Sequence, residues 1–401
     1  MVDESTVRSW VESVRASFPF YASADDLPAY LNVSALAPRP HPAIDAMRAA
    51  TVNPLAVDAW IQGSCAGIAG RLGVAPDAVI PTMGAHMTME RLVDLLDLAG
   101  PGRWLVDGHA HKAVINPLAR LYRRGRGAIV PLRSDAYARL DLHHLEESLA
   151  KDVRAVFVNH VSSITGTIQE IAAAAAIVRD HRERTGATTL LIADGAQAVP
   201  RMPVDASPID VYVVATQKVG GLPGSVAILS PDAIVTLGRI ADPEMPPLPA
   251  CRESLGAGTI HVEALASLDA ALEFLTTLPA IGAEGSGWRS AEAVIAFLRD
   301  RLLDGLAAKP DVRVLAAPEH REENAGIVAF QVRGRDVGAL GAELASRGVR
   351  IRAGTIDAQG HYFCVPFAER VLPRLTDRGA LRASVWITNT PDDVDRLLDS
   401  I

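Results

Sequence analysis

Between about residues 70 and 231 the chain alternates short apolar runs with amphipathic stretches, and this alternation constrains its fold more than any other feature. The runs are DAVIPT, RWLVDG, GAIVPL, VRAVFVNHV, TTLLIADG, VYVVAT and SVAILS. Each has the length and β-branched content of a strand buried on both faces. Strands separated by helical stretches form βαβ units, and a series of them predicts a mainly parallel sheet covered by helices on both sides. Two neighbouring runs end at a charge. TTLLIADG brings up Asp194, and DVYVVATQK ends at Lys218, with the short crossover GAQAVPRMPVDASPI between them. Both side chains are therefore expected at the carboxyl ends of adjacent strands, where open α/β sheets take ligands. No GxGxxG follows the first strand, which argues against a dinucleotide site.

The flanks read differently. A first helix is expected over about 4–17, followed by the irregular, Pro-rich YLNVSALAPRPHPAI. The cluster DPEMPPLPA (242–250) interrupts the alternation and predicts an active-site or interface loop. A helix through VEALASLDAALEFL, the Gly-rich AIGAEGSG and a long helix, WRSAEAVIAFLRDRLLDGL, lead to a second unit. That unit holds VRVLAA, AGIVAFQV, the helical DVGALGAELASRG, VRIRAG, HYFCV and LRASVWI, the pattern of a small α+β domain. The expected organisation is an N-terminal helix and lead-in over 1–30, a large domain over 31–280 and a small domain over 281–401. The ligand site is expected in the cleft between the last two.

A chain of 401 residues suits this division better than a single small core. Its net charge of −8 is spread along the sequence, which disfavours nucleic-acid binding. The start, MVDESTVRSWVESVRASF, has no basic segment ahead of an apolar one, and no stretch reaches the length of a membrane span. Neither a signal peptide nor a membrane segment is expected. Cys65, Cys251 and Cys364 are scattered without metal-ligand spacing. That predicts no disulfide framework, no metal site and a reducing, cytoplasmic setting.

An acid and an amine fixed at adjacent strand ends suit one cofactor, pyridoxal 5′-phosphate. Its aldehyde needs a lysine to form a Schiff base, and its pyridine nitrogen needs a carboxylate to stay protonated so that the ring acts as an electron sink. The series DGAQAVPRMPVD, TQK and GLPGSVAIL resembles the class V branch of the fold-type I pyridoxal-phosphate enzymes. That branch includes cysteine desulfurases, alanine/serine–glyoxylate aminotransferases and isopenicillin N epimerase. The resemblance continues in YLNVSALAPRPHPAI, HVSSITG, GAGT (256–259) and LRASVWITNTPDDVDRLLDSI, and so covers nearly the whole chain. It implies a seven-stranded, mostly parallel sheet with a smaller C-terminal α+β domain, an amino-acid substrate and a homodimer with composite active sites.

The resemblance also implies roles. Lys218 is the Schiff-base lysine and Asp194 the partner of the pyridine nitrogen; taken alone they read as a surface lysine and a turn-capping aspartate. Gln197 matches the position that reaches the cofactor's 3′-oxygen. Gly84, Ala85 and His86, between a strand end and a helix, form the phosphate cradle, since an open helix N-terminus favours an anion. His111 matches the ring that lies over the cofactor, with His109 its rival and an ordinary loop histidine the plain alternative. Ser163, Thr216 and Gln217 contribute further cofactor contacts. Thr259 of GAGT reaches the partner's phosphate, although Gly256 replaces the usual glutamate and a flexible turn is the alternative. Arg382 clamps the substrate carboxylate, with a structural ion pair as the other reading. Asn32 helps close the entrance.

Two departures bear on the reaction. Ser163 and Gln217 stand where desulfurases carry asparagine and histidine, and both match the glyoxylate aminotransferases. Desulfurases also present a persulfide-forming cysteine shortly after the step matched by Arg352–Gly354, whereas Thr355, Ile356 and Asp357 follow here. Cys364 lies farther on, in the apolar HYFCV, where packing is the expected role. Asp357, Gln359 and His361 are polar groups suited to reading a substrate side chain. The expected activity is that of an aminotransferase on a small amino acid or a metabolite derived from one. The alternative is a carbon–sulfur β-lyase or desulfurase-like enzyme; decarboxylating, epimerising and non-catalytic variants rank lower.

Overall fold

The computed structural model describes residues 2–23, 26–256, 258–354 and 379–401. Its strands are β1 (Ala29–Tyr30), β2 (Val79–Thr82), β3 (Gly102–Asp107), β4 (Gly127–Leu132), β5 (Val153–Asn159), β6 (Leu190–Asp194), β7 (Val211–Ala215), β8 (Ser225–Leu229), β9 (Val312–Val314), β10 (Ile327–Val332), β11 (Val349–Arg350), β12 (Arg352–Gly354) and β13 (Ala380–Ser384). All seven expected runs thus form strands, and they join in one sheet of order β2-β8-β7-β6-β5-β3-β4. Every neighbouring pair is parallel except those of β8, which runs against both β7 and β2.

The helices are α1 (Glu4–Arg15), α2 (His41–Val52), α3 (Val57–Arg71), α4 (Ala85–Asp97), α5 (Lys112–Arg123), α6 (Leu142–Ser148), α7 (Ile171–Thr185), α8 (Thr216–Val219), α9 (Pro231–Ala241), α10 (Pro247–Gly256), α11 (Val262–Thr276), α12 (Trp288–Ala307), α13 (Val337–Ser346) and α14 (Pro391–Asp399). They cover both faces of the large sheet, which explains why β6, β7 and β8 are buried throughout. Alternate strand residues feed two cores. Leu190 and Ile192 pack with the α4–α5 side, while Leu191 and Ala193 pack with α1, α7 and α11.

A second, antiparallel sheet has the order β12-β13-β10-β9, with α12 and α13 packed near it. The chain termini close onto this part. Arg15 on α1 donates to the Thr388 carbonyl at 2.7 Å, and Arg301 on α12 forks onto Asp395 of α14 at 2.7 Å. The parallel pair β1–β11 and a bridge from Asn32 to Ser384 tie the lead-in segment to the same region.

Some local expectations change. The first helix stops at Arg15. The Pro-rich lead-in is followed by α2 and α3, and two prolines sit in first helical turns, where a missing N–H costs nothing. For the same reason DPEMPPLPA is not a loop throughout: α10 begins at Pro247, leaving a turn over 242–246. HYFCV, with Cys364, and the polar Asp357, Gln359 and His361 lie outside the described residues.

Candidate active site

The geometry of the large sheet gathers the candidate residues at one end. Gly84 follows β2, His109 and His111 follow β3, Ser163 follows β5, Asp194 closes β6 and Lys218 follows β7. Because β8 runs the other way, its first residue, Ser225, lies at this end too, paired with Thr82 and Ala215. The hydroxyls of Thr82, Thr88 and Ser225 form a buried triangle, and Ser225 Oγ accepts from the Gly84 N–H at 3.0 Å. Gly84 has φ of 141°, a backbone region closed to most side chains, and it offers no side-chain cap to α4. The first turn of α4 therefore opens outward with its N–H groups unsatisfied by a cap, as an anion cradle requires. His86 is exposed on that turn, 3.5 Å from Glu90.

Asp194 is 7% exposed, and Oδ1 accepts from the Ala196 N–H at 3.0 Å. Burial raises its pKa, against the pull of that hydrogen bond and of Lys218. Lys218 is half-buried on α8, and its Nζ donates to the carbonyls of Ser34 and Ala35. Burial pushes its pKa down to about 8; Arg382, Arg201 and Arg352 act the same way, and Asp194 opposes them. Thus the amine, the carboxylate and Arg382 share one electrostatic neighbourhood.

Arg382 sits on β13, opposite Arg352 of β12, and its Nη1 donates to the Ser163 carbonyl at 2.6 Å. That contact joins the small sheet to the loop after β5. His111 caps α5, with Nδ1 accepting from the Ala113 N–H at 3.2 Å. Burial, then the charges of Lys218, Lys112, Arg382 and His86, lower its pKa to about 3, so the ring stays neutral. His109 is 1% exposed and belongs to a different cluster: its N–H donates to Asp107, and its carbonyl accepts from Asn159. Of the two histidines, only His111 feels Lys218 and Arg382.

The remaining candidates divide. Gln197 is buried, and its Nε2 donates to the Ser34 carbonyl at 3.0 Å. Asn32 Oδ1 and Gln217 Oε1 are buried without hydrogen-bond partners among the described residues. The Thr216 hydroxyl is committed to the Leu222 carbonyl. Thr259 is exposed near the α10–α11 junction, and neighbouring Gly256 lies close to the Pro81 carbonyl of β2. Sequence reasoning missed Ser34, Arg201 and Ser225. Each lies in a motif of the family resemblance, but only the folded chain brings Ser34 beside Lys218 and Gln197.

These features suit a phosphate-bearing, cationic heteroaromatic aldehyde. The cradle offers N–H donors, Asp194 awaits a cation, Lys218 carries a depressed amine, and two orphan amide oxygens await donors. Among the described residues, His320, Glu322 and Glu323 could share a metal ion, but they do not belong to this set.

Comparison with known proteins agrees with the fold. Residues 68–397 match the family described as Aminotransferase class-V. A probable cysteine desulfurase of Pseudomonas putida is 28% identical over 307 residues, covering 73% of this chain and 68% of the relative. A probable cysteine desulfurase of Chlamydia muridarum is 26% identical over 426 residues, covering 97% and 98%. Among solved structures, the cysteine desulfurase CsdA of Escherichia coli, in an S-sulfonic acid form, aligns at TM-score 0.78 and 22% identity over 97% of both chains. A mutant of C-DES with glycine covalently linked to its PLP cofactor aligns at TM-score 0.74 and 18% identity, over 96% of this chain and 98% of that one. The architecture is that of the fold-type I pyridoxal-phosphate enzymes. With a match running through most of its sequence, the chain belongs to the class-V aminotransferase family.

Proposed function

We propose that this protein is a pyridoxal-phosphate-dependent enzyme that cleaves a carbon–sulfur bond of cysteine or a small cysteine derivative by β-elimination. The observation that carries the cofactor reading is the placement of Asp194 at the end of β6 and of Lys218 just after the adjacent β7, with Arg382 held on the Ser163 carbonyl after β5. The choice of reaction draws on relatives named as probable cysteine desulfurases, three of which align over 95% or more of the chain.

In this reading bound pyridoxal phosphate supplies an electron sink for charge developing at the substrate α-carbon. Lys218 would hold the cofactor through its amine, and an amine whose pKa lies near 8 is suited to taking the substrate α-proton. Asp194 would hold the pyridine nitrogen, and His111, whose lowered pKa keeps it neutral, would pack on the ring. The uncapped start of α4 at Gly84, Ala85 and His86 takes the phosphate. Gln197 serves the cofactor's 3′-oxygen, with Ser163, Thr216 and Gln217 around it. Arg382 receives the substrate carboxylate bidentately, with Asn32 at the entrance. Cysteine and water would yield pyruvate, ammonium and sulfide.

Ser163 and Gln217, both shared with glyoxylate aminotransferases, support transamination as the second reading. Purified protein mixed with cysteine separates the two. Stoichiometric pyruvate and sulfide support β-elimination. Alanine, with sulfide released only when an added thiol reduces the transferred sulfur, supports desulfuration, and turnover only with a keto acid supports transamination. Absence of all these products across a panel of small amino acids would refute the enzymatic reading.

A further inference from the structure

Arg201 is a buried cation. It follows β6 by one short turn and is 2% exposed. No carboxylate pairs with it among the described residues. Its Nη1 donates to the carbonyl oxygen and to Oε1 of Gln197, each at 3.2 Å, and its Nη2 donates to Ser34 Oγ at 3.1 Å. Its Nε has no hydrogen-bond partner among the described residues. Enclosing a guanidinium this way is costly, and burial together with Arg382 lowers its pKa to about 9.

The contacts have a geometric consequence. A guanidinium only donates, so the Gln197 atom facing Arg201 must be the amide oxygen. The amide nitrogen is thereby turned the other way, where it donates to the Ser34 carbonyl at 3.0 Å. Lys218 Nζ donates to that same carbonyl oxygen. One oxygen therefore receives hydrogen bonds from the lysine amine and the glutamine amide together, with the guanidinium behind the glutamine.

We propose that Arg201 is a positioning residue: by gripping Gln197 Oε1 it fixes the amide nitrogen beside Lys218 Nζ, so that the two donors hold an anionic oxygen of the bound cofactor next to the lysine. This rests on the pyridoxal-phosphate reading given above, but its electrostatic half belongs to the unloaded protein. The charged groups that act on Lys218 are Arg382, Arg201 and Arg352, which disfavour its ammonium, and Asp194, which favours it. Arg201 thus supplies part of the field that keeps the amine free. A purely structural clamp between Ser34 and the turn after β6 would affect folding stability and nothing else.

The test compares wild type, Arg201→Met and Arg201→Lys as apoproteins, and after reconstitution with pyridoxal phosphate. In the apoproteins, competitive acylation followed by mass spectrometry reads the reactivity of Lys218 against pH, with Lys151 and Lys309 as references. In Arg201→Met the labelling of Lys218 at pH 8 should fall roughly threefold or more, because its ammonium gains stability. Arg201→Lys should restore the labelling by restoring the charge. It should still bind pyridoxal phosphate roughly tenfold more weakly than wild type, because a lysine's single nitrogen cannot hold Gln197 and Ser34 at once as the two guanidinium arms do. Unchanged labelling in a folded Arg201→Met protein would overturn the proposal. If Arg201→Met does not fold, wild-type affinity for pyridoxal phosphate in Arg201→Lys overturns it instead. A wild-type protein that takes up no pyridoxal phosphate would refute the proposed function, while the labelling comparison would still decide the role of Arg201.

Discussion

An ammonium group enclosed beside guanidinium groups gives up its proton readily, and Lys218 is held in that condition by burial and by Arg382. Its folded-state pKa of about 8 lies below the ordinary 10.5, so the free amine dominates above pH 8 and is lost as pH falls through that value. The rate at which apoprotein takes up pyridoxal phosphate, followed by absorbance, is therefore expected to rise up to about pH 8 and to level off above it. Lys218→Ala should abolish borohydride-stable attachment; a reducible adduct surviving on another residue would contradict the assignment. Lys218 and Asp194 were legible in the sequence because each ends an apolar run, so their position in the sheet follows from strand length alone. Arg201 was not. An arginine between two prolines, as in VPRMPVD, looks like surface, and only the closure of the Ser34 segment over it buries the charge.

The central strands were easy to read for a related reason: a strand buried on both faces, as β6, β7 and β8 are, has to be a continuous apolar run. Helices following a proline-rich lead-in have no comparable signature, so α2, α3 and the start of α10 emerge only from packing. The loop after β5 shows how elements cooperate at the site. Gly166 has φ of 76°, and a Cβ there would lie 2.2 Å from the Ile327 carbonyl of β10. Asn324 stitches the same junction, donating to the Thr165 carbonyl at 2.7 Å and to the Ile327 carbonyl at 3.0 Å. This junction seats Ser163 against Arg382. Gly166→Ala should cost on the order of 2–4 kcal/mol in urea unfolding, through strain and steric overlap. It should also raise the KM for the amino-acid substrate, because the Ser163–Arg382 contact shifts. An unchanged midpoint and an unchanged KM would show that the loop relaxes freely.

At the scale of the whole molecule, two features remain to be accounted for. Met83 and Met87 are 52% and 43% exposed beside the cradle, and Thr259 is exposed near the same strand end. A second copy of the chain covering this face would bury the methionines and bring its own Thr259 to the phosphate. Sedimentation is accordingly expected to give twice the chain mass, and Thr259→Ala to weaken retention of pyridoxal phosphate without altering that mass. A monomer that retains the cofactor fully would exclude the composite site.

The second feature is the distribution of thiols. A desulfurase that forms a protein persulfide needs a thiolate able to reach the substrate sulfur, and a thiolate forms only where its charge is tolerated. Cys65 and Cys251 are buried, and burial pushes both thiols up to about 11. At neutral pH they remain protonated, and neither belongs to the Lys218 cluster. Cys364 is the remaining thiol in the sequence, and it sits in an apolar run rather than directly after Arg352–Gly354. If sulfur leaves directly as sulfide, no thiol is required. Cys364→Ser should then release pyruvate and sulfide from cysteine within a few-fold of the wild-type rate. Cys65→Ala and Cys251→Ala should lower the melting temperature, because each vacates space in a packed core, while leaving the rate per folded molecule unchanged. Loss of turnover in Cys364→Ser, with a persulfide trapped on Cys364 in the wild type, would instead establish a relay and make alanine, not pyruvate, the carbon product.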